Sequence, residues 1–519
     1  MIKNVYTIEL QPSGKLLSAS EGDNLLTLLM VAGMLSADDG NDKVKLEKGS
    51  ISPSADADKE AVAFSKAENA DGWMLASLRR VSGDAVFYLP TTTEKAEHRQ
   101  SVRSITSGYG LAIDIGTGTI AAGLVELATM QIPVLDSITN SQMTIAADLT
   151  SRMALCRNNP QQQCQFGIML WQDIETLARK LTTKAGINLN EIKIVSLVAN
   201  SYLGDMLYTV CNNDHNDNKK VRRWLAKQLP CDYFIDDCQV MLLPEIAVDI
   251  GADTVAAILA AGLLDKRDDE QVTLLVDFGM STEIVAAGGG RIVAASVASP
   301  PFEGVHIDCG MRVGTSTITQ VSIEDDLILQ TYSDAIPKGI SGAGLVSLLA
   351  ALLTKKMLNS NGRLVVPEDI TLRLKQRLRY SINGMEFVLS INKYKEVYIN
   401  QNDIRQMQLS KGNIYAACQS VLAAMGASTD DIGQILIAET SGANISGKAS
   451  LIAGFLPKVE ENKIVSIGNA SWQGAYLVLG NELLVSQIQD IIDTVERLDL
   501  IADIVFAEHF ITAMNFSIE

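Results

Sequence analysis

Two six-residue stretches carry the chemistry that this chain is built to do. Asp114-Ile115-Gly116-Thr117-Gly118-Thr119 and Asp277-Phe278-Gly279-Met280-Ser281-Thr282 share the form D-x-G-x-x-T, with the two aspartates 163 positions apart. Glycine lets a chain turn tightly and bring backbone N–H groups close to an anion. Thr and Ser hydroxyls add donors to phosphate oxygens. An aspartate at a strand end orients a hydrated Mg²⁺ or an attacking water. One copy alone reads as an ordinary hairpin. Two copies, one domain apart, read as facing turns that clamp the β- and γ-phosphates of ATP across a cleft.

The flanking residues set what positions these turns. Each turn follows an apolar run and precedes another strand, so strands are expected over 111–115, 120–127, 132–138, 192–199 and 273–278. Helices are expected over 174–185 and 248–264, the latter buried. This alternation predicts an α/β architecture. Polar loops are expected over 158–165 and 212–220. Residues 1–90 read as a small α+β unit. Its strands are placed at 5–10, 15–19, 43–46 and 84–89, around a helix at 25–34 capped by Asn24. Residues 91–106 are polar with no apolar face and read as a linker. The remaining chain divides into a first lobe, 107–268, and a second, 269–519.

Composition narrows the partners. Lys+Arg number 43 and Asp+Glu 61, a net charge of −18, which argues against nucleic acid and anionic membrane surfaces. None of the seven cysteines precedes Cys156, and no C-x-x-C occurs, so residues 1–155 hold no thiolate for a metal cluster. An odd, scattered cysteine count fits a reducing cytoplasm. The N-terminal residues show no signal-peptide pattern. The longest apolar run, 248–264, contains Asp249 and Asp253 and is not a membrane span.

Further motifs carry a resemblance. Gly110 to Thr119, Asn140-Ser141-Gln142, Asp148, Ser151-Arg152, Leu243-Pro244, Gly251-Ala252-Asp253, Pro301-Phe302-Glu303-Gly304, Cys309-Gly310-Met311-Arg312, Pro337 to Gly344 and Asp403-Ile404-Arg405 are similar to the ATP-dependent reductive activators of corrinoid proteins. That family lies within the acetate and sugar kinase, heat-shock chaperone and actin superfamily. The resemblance implies a duplicated actin-like (ribonuclease H-like) ATPase core of two lobes, preceded by a ferredoxin-like β-grasp domain. It implies ATP and Mg²⁺, and a corrinoid protein or its methyltransferase as partner. Asp114, Asp277 and Glu303 are the expected catalytic residues, with Asp114 and Asp277 also at the metal. Gly116, Thr117, Gly118, Thr119, Gly279, Ser281, Thr282, Gly339, Gly342, Gly344 and Gly442 are the expected nucleotide contacts.

The chain also departs from the family's pattern. Ser77 stands where the family has its final cluster cysteine, and the loop for the others is shortened to 37–42. No [2Fe–2S] cluster is therefore expected, and an external reductant must supply electrons. Ser281-Thr282 replaces Asn-Gly, Ser341 replaces a cysteine, and Glu439-Thr440-Ser441-Gly442 stands where a Gly-Gly pair meets the adenosine. Glu439 either repels phosphate, fills the adenine space, or is a solvated loop acid. Two functions follow: an ATP-dependent activator without its own electron carrier, or a non-catalytic scaffold, chaperone or regulator of a corrinoid protein or methyltransferase. A small-molecule kinase has no substrate motif behind it. His306 and Cys309 read as structural residues. The oligomeric state stays open, a homodimer included.

Overall fold

The computed structural model describes residues 5–11, 15–20, 25, 29, 43–53, 73–76 and 79–88, and then 107–516 except 212–219, 226–237, 334, 383, 394, 440–444 and 481–482. The chain forms two compact units, Met1–Val102 and Arg103–Glu519.

The first unit is a five-stranded sheet. Its strands are β1 (Val5–Gln11), β2 (Lys15–Ser20), β3 (Lys43–Pro53), β4 (Trp73–Leu75) and β5 (Arg79–Tyr88), in the order β2-β1-β5-β3-β4. β1 and β5 run parallel at the centre, and Ile8, Leu10, Val44, Phe87, Leu25 and Leu29 are buried together. Apolar residues at alternate strand positions supply that core. β3 and β5 run well beyond the expected 43–46 and 84–89. The helix expected at 25–34 is described only at Leu25 and Leu29, and Ser77, the 37–42 loop and the linker 91–106 lie outside the described residues.

The second unit contains the same sheet twice. The first lobe has β6 (Tyr109–Ile115), β7 (Thr119–Glu126), β8 (Gln131–Thr139), β9 (Ile192–Ala199), β10 (Arg222–Leu225) and β11 (Gln239–Leu242), ordered β10-β11-β9-β6-β7-β8. The second has β12 (Val272–Phe278), β13 (Ser281–Gly288) and β14 (Arg291–Ala298). Six short strands follow, β15 (Thr317–Ile323), β16 (Leu327–Thr331), β17 (Gly339–Ile340), β18 (Leu378–Ser381), β19 (Gly384–Ile391) and β20 (Glu396–Asn400), in two three-stranded sheets. The lobe closes with β21 (Ile432–Glu439), β22 (Ile464–Gly468) and β23 (Val495–Arg497), ordered β22-β21-β12-β13-β14-β23. In each lobe an antiparallel meander (β6-β7-β8 or β12-β13-β14) is extended by two parallel strands (β9 and β11, or β21 and β22). This is the duplicated actin-like core.

Two helix expectations are corrected. The helix expected from residue 174 begins at Pro160 and runs Pro160–Ala185, because Asn159 caps it and proline suits its first turn; residues 160–165 are therefore helix and not loop. The run 248–264 is not one helix. Val248 is 84% exposed, and the helix Ala252–Ala260 starts after Gly251. Among the described residues no helix is long and apolar enough to cross a membrane.

Candidate functional site between the lobes

The first D-x-G-x-x-T turn joins β6 to β7. Gly116 N–H donates to the Thr119 carbonyl at 2.9 Å, closing the turn. Asn140 holds it from below, its Nδ2 donating to the Gly116 carbonyl at 3.0 Å and its backbone N–H to that of Gly118 at 2.9 Å. Asn200, at the end of β9, donates to the Thr117 hydroxyl at 3.2 Å. Two guanidinium groups then converge on adjacent carbonyls. Arg152, buried, donates from Nη2 to Thr117 O at 2.7 Å. Arg312, which belongs to the second lobe, donates from Nη1 to Gly118 O at 2.6 Å and from Nε to Glu303 Oε2 at 2.9 Å. Burial first, and then the charge of Arg312, push the Arg152 pKa down to about 10.

Gly118 is a glycine for a steric reason. A Cβ there would lie 1.8 Å from Arg312 Nη2 and 2.1 Å from Glu303 Oε2. The Glu303–Arg312 pair is thus laid directly on the first turn.

The second turn is built differently. Ser299 is fully buried; its hydroxyl donates to Gly279 O at 2.9 Å and lies 2.6 Å from the Thr282 hydroxyl. Ser299 N–H donates to Met280 O at 2.8 Å. Thr282 is therefore engaged inside the lobe, while Ser281 and Gly279 are half-buried at the surface of the turn. The turn is also one residue tighter than the first: Asp114 faces Ala121 across the hairpin, whereas Asp277 faces Glu283.

The helix Ala470–Gly480 joins the two aspartates. Its cap, Asn469, accepts from Trp472 N–H at 2.7 Å and donates from Nδ2 to Asp114 Oδ2 at 2.8 Å. Ser471, two residues on, lies 3.2 Å from Asp277 Oδ2 and 3.2 Å from Asp253 O. Trp472 Nε1 donates to Ala112 O at 3.0 Å, seating this helix on the first lobe's sheet. Gly474 lets it cross the helix Ala252–Ala260 closely, since a Cβ there would lie 2.2 Å from Ala256 O.

Carboxylates crowd this point. Burial, reinforced by Asp253 and Glu303, raises the Asp114 pKa to about 7 against the pull of Asn469. Burial raises Asp253 to about 6. Asp277 is raised well above the usual range, by burial first and then by Asp114 and Asp253. Glu439 is buried at the end of β21 and adds to the field on Asp277, so it is a strand residue of the site and not a solvated loop acid.

Three of the expected glycines position the arm that carries Glu303 and Arg312. Gly339 abuts Met311 and Cys309, Gly342 abuts the Phe302 backbone, and Gly344 abuts Ile318 O. Phe302 packs against Phe278 with ring centroids 4.9 Å apart, tying the base of this arm to the second turn's own strand. Gly442, Thr440 and Ser441 lie outside the described residues. His306 is exposed, and Cys309 is buried with its thiol pKa raised by burial. Sequence reading missed Asn469, Ser471, Ser299 and Asn200. An asparagine directly before an apolar helical run was the available signal for Asn469.

The donor set suits a phosphate chain with a hydrated cation. A buried cation, Arg152, and a half-buried one, Arg312, meet at the first turn, and Arg312 Nη2 is a buried nitrogen that has no hydrogen-bond partner among the described residues. Asp114 and Asp277 stand opposite. No group of three His, Cys, Asp or Glu side chains among the described residues is close enough to hold a metal directly.

Fold and site together define a two-lobed actin-like protein of the ASKHA class. Residues 271–519 match the domain described as "C-terminal domain of RACo the ASKHA domain", and residues 109–266 match the "RACo middle region". The chain belongs to the RACo family. It is 26% identical over 391 residues to "Corrinoid activation enzyme RamQ" of Eubacterium limosum, covering 72% of this chain and 64% of that protein. It thus spans just under two thirds of that relative's length. It is 23% identical over 441 residues to "[Co(II) methylated amine-specific corrinoid protein] reductase" of Methanosarcina barkeri, covering 75% of this chain and 73% of the relative. The solved structure titled "Reductive activator for corrinoid,iron-sulfur protein" shares the fold, with a TM-score of 0.72, 20% identity and 98% coverage of both chains.

Proposed function

We propose that this chain is an ATP-dependent activator of a corrinoid protein that draws its electron from a separate reductant. One observation carries the ATP reading. The two turn aspartates, 163 positions apart, are tied to one helix start through Asn469 and Ser471, so whatever occupies the turns also sets the spacing of the lobes. The partner class is supported by the relatives, which are named for corrinoid activation or reduction.

In this reading Gly116, Thr117, Gly118 and Thr119 of the first turn and Gly279 and Ser281 of the second hold the phosphates. Thr282 props its turn through Ser299. Asp114 and Asp277 would hold the water shell of Mg²⁺, whose charge would lower their raised pKa values. Glu303, clamped by Arg312, orients the attacking water. The cation supplies charge neutralisation at the phosphates. Lobe closure on ATP remodels the bound corrinoid protein. The N-terminal unit acts as a docking module, because no cysteine precedes Cys156 and a [2Fe–2S] cluster needs thiolates. The cytoplasm is the compartment that suits its scattered cysteines.

The scaffold reading has one feature behind it: buried Glu439 beside Asp277 adds negative charge where phosphate must enter. Calorimetry with ATP and Mg²⁺ separates the two. Heat from the wild type, lost in Asp114→Ala and Asp277→Ala, supports the activator. No heat, with or without a corrinoid protein, leaves the scaffold. A colourless purified protein is expected, and ferredoxin-like absorbance would refute the missing cluster.

A further inference from the structure

We infer that Arg312 is a phosphate-contacting residue that reads the terminal phosphate of a nucleoside triphosphate and hands that information from one lobe to the other. The inference rests on the ATP reading above and deepens it.

The guanidinium fork has three nitrogens. Nε is spent on Glu303 at 2.9 Å and Nη1 on Gly118 O at 2.6 Å. Nη2 is buried and has no hydrogen-bond partner among the described residues. A buried donor left unmade is costly, so such a group marks a place where a ligand atom completes the site. Its surroundings say which kind. Nη2 lies over Gly118, inside the turn whose glycine and threonine content suits an anion, and close enough to Arg152 to depress that residue's pKa. Glu303 neutralises only one of the two cations. The second turn has Glu283 and Glu439 beside it instead of arginines, so of the two turns the first is the more favourable for the terminal oxyanion. Fork geometry matches phosphate oxygens.

The lobe-to-lobe part follows from where Arg312 is anchored. Met311 N–H donates to Ile340 O at 2.8 Å, and the Thr317 hydroxyl donates to Arg312 O at 2.7 Å. Gly339 presses the same segment against Met311. The backbone of Arg312 therefore moves with the second lobe while its side chain grips the first. A terminal phosphate on Nη2 adds a bond that exists only when the lobes are closed; a diphosphate on the same turn leaves it unmade.

The test is the ratio of ATP to ADP affinity, measured by calorimetry on the full chain with Mg²⁺. In Arg312→Gln, ATP affinity is expected to fall at least about tenfold while ADP changes less than about twofold. Arg312→Lys, which keeps the charge but not the fork, is expected to fall between, and it keeps the test alive if the glutamine variant fails to fold. Equal losses for both nucleotides mean a structural role and overturn the inference while leaving ATP binding intact. Unchanged or tighter ATP binding means that the arm blocks the site, and also overturns it. No ATP binding by the wild type removes the ATP reading itself and this inference with it.

Discussion

The two D-x-G-x-x-T turns share a sequence pattern and have become opposite environments. The first is gripped by Arg152, Arg312, Asn140 and Asn200, with Ala121 and Ala199 beside its aspartate's strand. The second is propped by Ser299 and carries Glu283 opposite Asp277 and Glu439 opposite Phe278. Duplication supplies two related hairpins, and the charges gathered around each decide which one favours an anion more. The same asymmetry has a stability cost, since several carboxylates are buried at one point without a cation of their own.

That cost gives the largest expected effect. The folded-state pKa of Asp114, about 7, lies above its ordinary 3.8. Between those values the folded chain holds a proton that the unfolded chain has lost. The nucleotide-free protein therefore gains stability as pH falls from about 8 towards 5, and has lost that gain above pH 7. Asp114→Asn keeps the Asn469 bond and removes the charge. Chemical denaturation at pH 8 is expected to show it more stable than wild type by roughly 2–4 kcal/mol, with a flatter pH profile. A destabilised variant would mean that the carboxylates are not in conflict.

Next comes the first turn's steric limit. Gly118→Ala places a Cβ where Arg312 and Glu303 lie and must lift the arm, an overpacking cost of about 1–3 kcal/mol that should appear as weakened ATP binding. Gly204→Ala, where nothing lies within 4 Å, is the control. Ser299→Ala removes the hydroxyl pair under the second turn and is expected to lower stability by about 1–2 kcal/mol with a smaller change in ATP affinity. If it abolishes ATP binding, the second turn matters more than its charges suggest. Smallest is Glu439→Gln. It removes one repelling charge and is expected to tighten ATP binding by about threefold in calorimetry, and a weakening would reverse the role given to the second half.

Much of this was legible in the chain. Apolar runs around the D-x-G-x-x-T turns placed β6, β7 and β12 within one or two residues, because strands buried on both faces read as continuous apolar segments. The site's asymmetry was not legible. Whether Asp277 faces Glu283 depends on a hairpin one residue tighter than its sibling, and an identical motif does not encode that. Asn469 and Ser471 reach the aspartates from the far end of the chain, through a helix whose landing place is fixed by the small Ala256–Gly474 crossing. Val248 misled because the apolar run was taken as continuous, whereas Gly251 caps a helix that begins only at Ala252.

The central claim is that this chain couples ATP to corrinoid reduction without carrying the electron. The most direct measurement follows the cobalt absorbance of a Co(II) corrinoid protein mixed with the purified chain, ATP, Mg²⁺ and a low-potential external reductant. Formation of Co(I) is expected only when chain, ATP and reductant are all present, and not with Asp114→Ala. Co(I) formed without the external reductant, or at the same rate without ATP, would contradict it.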